Sequence, residues 1–183
     1  IKASLPQEGV AQADILYECL AEGGITRLMA IITDYGDVTQ IGSVRSARDY
    51  YIDYANGYDC IFFHAGGSTY AYDTMSARGT DHVDGVNGPA HLYSGTGTFI
   101  RDPERLKKYS SEHTLMIQNG AGIQSAIDYY KFRTEIKEGY TTPMQFAPWG
   151  ETVTGEKEAR EVSVVLSNYQ KVNYTYDADS SVY

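Results

Sequence analysis

Two short runs rich in β-branched and apolar residues, ITRLMAIIT (25–33) and DCIFFHA (59–65), constrain the fold of this chain more than any other feature. Both read as buried strands; the first is closed by the turn-like DYGD and the second runs into Gly66 and Gly67. Segments with helical spacing lie around them. VAQADILYECLAE (10–22) sets Val10, Ala13, Leu16, Tyr17 and Leu20 on one face, with Gly23 and Gly24 as a C-terminal stop, and is expected to be a helix. In IGSVRSARDYY (41–51), Ser46 followed by Asp49 resembles a capping box, and Tyr50, Tyr51, Tyr54 and Ala55 carry a helix to Asn56 and Gly57. Ser68 is placed to cap a further helix, TYAYDTMSAR, which Gly79 ends. Helix, strand, helix, strand, helix in that order predicts an α/β fold, a layered mixed sheet with flanking helices that is at least partly parallel.

The interval 79–101 breaks this rhythm. It is full of Gly, Asp, Asn and Thr and too long for an ordinary connection, so it is expected to be a functional or mobile loop. Asp102 and Pro103 form an N-cap and N1 pair for a helix over ERLKKYSSEH, TLMIQ (114–118) reads as a short strand, and GIQSAIDYYKF as a last helix. From Thr141 the texture changes, and EVSVVLS and KVNYTYD alternate as a β-hairpin across NYQ. The expected organisation is an α/β domain over 1–140 and the start of a second, β region over 141–183, continuing beyond Tyr183.

The net charge of −9 argues against nucleic acid as a general partner and against docking on anionic lipid. No run of about 18 apolar residues would span a bilayer, and the opening IKASLPQEG lacks the features of a signal peptide. Cys19 and Cys60, far apart in apolar surroundings, read as buried thiols before they read as a disulfide. No HxH, HExxH or complete EF-hand spacing accompanies His82, His91, Asp81 and Asp84, so neither a metal nor another cofactor is expected.

On the expected first helix, Asp14, Glu18 and Glu22 form one acidic stripe, a spacing that costs a few tenths of a kcal/mol per like-charged pair, on the order of 0.2–0.5. Arg45 and Arg48 sit at a helix start, where a cation forfeits roughly 0.3–1 kcal/mol. Each arrangement is unfavourable alone and the two complement one another, with Arg27 able to join them. One reading is a set of Arg–carboxylate pairs that locks the fold; the other leaves arginines free to hold an anionic ligand. The strand end HAGGS (64–68) supports the second, because Gly66 and Gly67 let backbone N–H groups approach a ligand and Ser68 opens a helix. His64 is a candidate base or ligand residue, although a histidine hydrogen-bonded in the core fits the pattern as well.

YECLAEGGITR (17–27), IGSVRSARDYYIDYA (41–55) and FFHAGGS (62–68), in that order, resemble the YerB-like family of lipoproteins of Gram-positive bacteria. The likeness covers about residues 5–130, the tail resembles the opening of the family's separate C-terminal β region, and EHT at 112–114 departs from the family pattern. The resemblance implies an extracytoplasmic protein tethered by lipid to the outer face of the cytoplasmic membrane through a cysteine that is neither Cys19 nor Cys60. It carries over no catalytic assignment. By match to its motifs the residues to examine are Glu18, Glu22, Arg27, Arg45, Arg48, His64, Gly66, Gly67 and Ser68. The expected role is non-enzymatic binding or scaffolding through a polar Arg/Glu/His cleft, with an anionic or sugar-like wall component or an envelope protein as partner. The alternatives are an envelope hydrolase or transferase using His64 or Glu112 as base with an arginine clamp, and a purely structural module.

Overall fold

A computed structural model describes residues 4–148, 150–151 and 153–183. The chain divides into two compact units, Ile1–Leu16 with Ala30–Pro143 and Tyr17–Met29 with Met144–Tyr183. The α/β expectation holds, realised as several small sheets with four helices.

In the first unit, β3 (Ile41–Gly42), β6 (Phe99–Arg101) and β7 (Leu115–Ile117) form an antiparallel sheet in the order β3-β7-β6, with Phe99 opposite Ile117 and Gly42 opposite Met116. Beside it, β4 (Phe62–His64) and β5 (His82–Asp84) pair in parallel, His64 opposite Asp84. The crossover between them is α2 (Thr69–Arg78), which packs against α1 (Asp49–Gly57). Ser68 caps α2 by accepting from the Ala71 N–H at 3.1 Å, and Gly79 ends it in the left-handed region at φ 60°. Ile52 and Ala55 of α1 and Ala71 and Met75 of α2 are fully buried. On the opposite side of the paired strands, Val83 joins Phe99, Leu115, Ile117, Ile123 and Ile127 in one apolar cluster. Ile123 and Ile127 come from α4 (Gly120–Tyr130), capped by the Asn119 side chain. Glycine is required at its start, since a Cβ on Gly122 would lie 2.6 Å from the Gly97 carbonyl oxygen and one on Gly120 would strike the Tyr35 carbonyl.

The second unit is built of hairpins. β1 (Ile15–Leu20) pairs with β2 (Thr26–Ile31), a hairpin whose Tyr17–Met29 part belongs to this unit, and β8 (Glu161–Val165) pairs antiparallel with β9 (Lys171–Thr175), the hairpin expected from their alternation. Every residue of β8 is exposed. Polar links hold the unit: the Glu18 carboxylate accepts from the Thr26 hydroxyl at 2.6 Å and the Gln170 amide at 2.9 Å, and the Ser167 hydroxyl donates to the Gly24 carbonyl at 2.5 Å. Among the described residues no helix is long and apolar enough to cross a membrane.

Four sequence expectations need correction. Residues 10–22 form a 3-10 turn, Val10–Gln12, followed by β1, not a helix; a second such turn, Glu22–Gly24, with both glycines at positive φ, joins β1 to β2. The run carries apolar residues at both periods, and pairing with β2 selects the extended one. The acidic stripe over Asp14, Glu18 and Glu22 therefore does not exist as a helical face. The capping box at Ser46 is also not used, because α1 begins at Asp49 with Arg48 as N-cap. The interval 79–101 contains β5 and the whole of β6, three residues each, too short for periodicity to reveal. Finally, the helix after Asp102 spans only Pro103–Leu106 (α3) and is followed by a 3-10 turn at Ser111–His113.

Candidate functional site

A cleft of about 300 Å³ opens in the first unit, lined by Val44, Arg45, Ser46, Ala65, Val86, Arg101, Ser111, Glu112 and Leu115. Its lining combines the apolar Val44, Ala65, Val86 and Leu115 with polar and charged residues. Ala65 and Val86 follow the carboxyl ends of the parallel strands β4 and β5, the place where open α/β sheets accept ligands. Arg45 and Arg101 approach from the ends of β3 and β6 and are held by neighbouring carbonyls of one short turn. Arg45 Nη1 donates to the Glu112 carbonyl at 2.6 Å, and Arg101 Nη1 donates to the Ser111 carbonyl. Among the described residues neither guanidinium reaches a carboxylate, and their hydrogen bonds run through Nη1 alone. Each keeps donors on Nε and Nη2 for a partner of opposite charge.

His113 stands behind Arg45. Its Nδ1 lies 3.2 Å from Arg45 Nη1, a nitrogen that only donates, so Nδ1 is the bare nitrogen and the tautomer is fixed. Burial pushes this imidazole below its ordinary value, and the adjacent Arg45 cation pushes it the same way. The Ser4 hydroxyl, 3.1 Å from the same nitrogen, completes the contact.

Next to the lining residues Ala65 and Val86 lies a buried polar network. Asp84, 2% exposed, accepts at Oδ1 from the backbone N–H of Gly66 and of Val86, both at 2.8 Å, and at Oδ2 from the Tyr72 hydroxyl at 2.6 Å. Burial alone would raise its pKa; the Tyr72, Gly66 and Val86 donors outweigh that and hold the carboxyl below its ordinary value. His64, 1% exposed, spends both ring nitrogens inside the fold: Nδ1 on the Gly66 carbonyl at 2.8 Å and Nε2 on His82 Nδ1 at 2.9 Å. A carbonyl only accepts, so His64 carries its proton on Nδ1 and accepts at Nε2. His82 then donates from Nδ1 and keeps a lone pair on Nε2. Burial pushes both imidazoles below their ordinary value, against the opposing pull of the Asp84 carboxylate.

The expected site residues thus separate. Arg45 lines the cleft, and Glu112 does so from the turn that holds the arginines. Arg48 turns its Nη1 onto the Ala47 carbonyl at 2.7 Å. Gly66 is the clamped point of the HAGGS turn, at φ 71°, where a left-handed residue is required; Gly67 forms a parallel bridge to Ala47, and Ser68 is the cap of α2. His64 is no solvent-facing base, since both its nitrogens are occupied beneath the surface. Glu18, Glu22 and Arg27 belong to the second unit, where Glu22 and Arg27 form an ion pair at 3.3 Å. Sequence reasoning missed Arg101 and the role of Asp84. Arg101 carried a faint signal, a charged residue closing the apolar pair Phe99–Ile100 before a helix cap, whereas Asp84 looked like one more turn residue of a Gly-rich loop.

A second cavity, of about 250 Å³, is lined by Asp59, Cys60, Arg78, Asp81, Arg133 and Lys137 among others. Its charges are largely engaged with each other. Asp59 is bound by Arg133 at 2.7 Å and Lys137 at 3.0 Å, and the Arg133 hydrogen bond holds its carboxyl far below the ordinary range. Burial pushes the Cys60 thiol up to about 11.

Comparison with known proteins agrees with the three-motif resemblance. The model of a family described as "Protein of unknown function (DUF3048) N-terminal domain" matches residues 1–133. A Bacillus subtilis (strain 168) protein named "Putative lipoprotein YerB" is 32% identical across 97% of this chain and 50% of its own length. The crystal structure of YerB protein from Bacillus subtilis has a TM-score of 0.73 at 27% identity, covering 98% of this chain and 55% of that one. The chain spans about half the length of this curated relative.

Proposed function

The chain belongs to the family of the DUF3048 N-terminal domain, and on that premise we propose that it is the binding domain of a cell-envelope lipoprotein, holding an anionic group in the Arg45/Arg101 cleft. The name of the Bacillus subtilis relative supports the envelope location, with tethering at the outer face of the cytoplasmic membrane. The observation that carries the binding role is the pair of guanidiniums on one turn, lining one cleft, with no carboxylate partner among the described residues. Two such cations near each other and half-buried repel unless an anion answers them. A cleft of about 300 Å³ suits a phosphate or carboxylate carried on a sugar-sized unit, and the Ser46, Ser111 and Glu112 side chains offer partners for adjoining hydroxyls. The ligand class is therefore an anionic wall component, with the overall charge of −9 keeping the rest of the surface from unspecific anion binding.

Calorimetric titration with anionic fragments of purified Gram-positive cell wall tests this. Saturable binding is expected, weakened at least tenfold in both Arg45→Gln and Arg101→Gln. Equal binding by the folded variants and the wild type would exclude the cleft.

A further inference from the structure

One buried oxygen ties together two loops that line the cleft. Asp84 Oδ1 accepts from Gly66 N–H, next to Ala65, and from Val86 N–H, and Ala65 and Val86 are both cleft-lining residues. The carboxylate is anionic, buried and held by the neutral donors of Gly66, Val86, Tyr72 and Asn87, and among the described residues no cationic side chain hydrogen-bonds to it. Such a group is costly to bury and contributes most to geometry. From Gly66 the constraint continues toward the arginine. The Gly66 carbonyl uses one lone pair on His64 Nδ1 and the other on the Ala47 N–H, each at 2.8 Å, and the Ala65 N–H donates to the Arg45 carbonyl at 3.0 Å. The 45–47 segment thus hangs on the HAGGS turn by a parallel bridge, and Asp84 and His64 clamp that turn from below.

We propose that Asp84 is the positioning residue of the cleft, setting where Arg45 stands through Gly66 and Val86 without touching the ligand. The inference rests on the cleft as an anion site for its binding consequence and on the hydrogen-bond chain for its structural one, so the two are read separately. Tyr72 provides the control. Its hydroxyl bonds Oδ2, so Tyr72→Phe weakens the network while leaving the Oδ1 bridge intact.

Amide and guanidinium NMR spectra of the full chain, with and without inorganic sulfate, make the test. Sulfate keeps its charge across the working pH range. Without sulfate, Asp84→Ala is expected to move the Gly66 and Val86 amide signals and, with them, those of Ala47, Ala65 and the Arg45 side chain. Tyr72→Phe is expected to leave the Ala47, Ala65 and Arg45 signals in place. With sulfate, Asp84→Ala is expected to lose at least tenfold in affinity, and Tyr72→Phe and the shape-conserving Asp84→Asn less than threefold. If Asp84→Ala does not fold, Asp84→Ser carries the same expectation. Arg45 signals and sulfate affinity unmoved in a folded Asp84→Ala or Asp84→Ser variant would overturn the positioning role while leaving the cleft reading intact. A wild type that ignores sulfate while the Arg45 signals still follow Asp84 would overturn the anion site and support the positioning chain.

Discussion

The molecule contains two Gly-Gly turns that look alike in sequence and do different work. Gly23 sits at the exposed tip of the β1–β2 hairpin beside the half-buried Gly24, both at positive φ, with open space where a Cβ on Gly23 would go. Gly66, also at positive φ, is buried and held from three directions by Asp84, His64 and Ala47. The same contrast runs through the two units. The first buries the Asp84 carboxylate at 2% exposure and satisfies it with two backbone N–H donors and a tyrosine hydroxyl, while the polar links of the second, at Glu18 and Ser167, are only part-buried. Fixed geometry comes from the first pattern, because a buried polar group without its partner costs far more than an exposed one.

Substitutions that delete apolar volume should separate the units most strongly. Ile52→Ala, in the fully buried contact of α1, is expected to cost about 2–5 kcal/mol in chemical denaturation. Val165→Ala, on the exposed β8, should stay within about 0.5 kcal/mol. Similar losses at both positions would remove the distinction.

Acid should act next, and through the first unit. In the unfolded chain the imidazoles of His64 and His82 protonate near their ordinary value of 6.5, whereas the folded environment holds both below it. Their contribution to stability is therefore whole above about pH 6.5 and declines as pH falls from there through the folded values. The charges facing the pair are the Asp84 and Asp81 carboxylates, with the Tyr72 hydroxyl alongside. Melting temperatures between pH 7.5 and 5 should fall, and His82→Gln should flatten the slope; a slope unchanged in that variant would place the titration elsewhere.

The smallest expected effect lies in the second unit. Glu18→Ala removes the acceptor shared by Thr26 and Gln170 and should cost about 1 kcal/mol. Hydrogen exchange should register it as faster exchange of the amides over residues 161–175. Unchanged protection there would show that the hairpin is held by its own strand pairing.

Much of the fold was legible where local chemistry decides it. Ser68 and Gly79 bound α2, Asp102 caps α3, and the β8–β9 alternation gave the observed pairing. The reading failed where a segment satisfies two periods at once, as at 15–20, where the partner strand makes the choice. It failed also at His82–Asp84, where a three-residue strand carries a single apolar residue, Val83, whereas the equally short β4 and β7 were legible from their continuous apolar runs. Arg45 was visible as a candidate from charge out of place, and Glu112 as a possible base. Asp84 was not, since its role depends on two loops that only the parallel pairing of β4 and β5 brings together.

Mapping inorganic sulfate onto the amide and arginine side-chain NMR signals tests the central claim most directly. Saturable shifts confined to Arg45, Arg101 and the Ser111–His113 turn, and abolished in the Arg45→Gln/Arg101→Gln double variant, are the predicted result. Shifts scattered over the surface, or identical in the double variant, would contradict it.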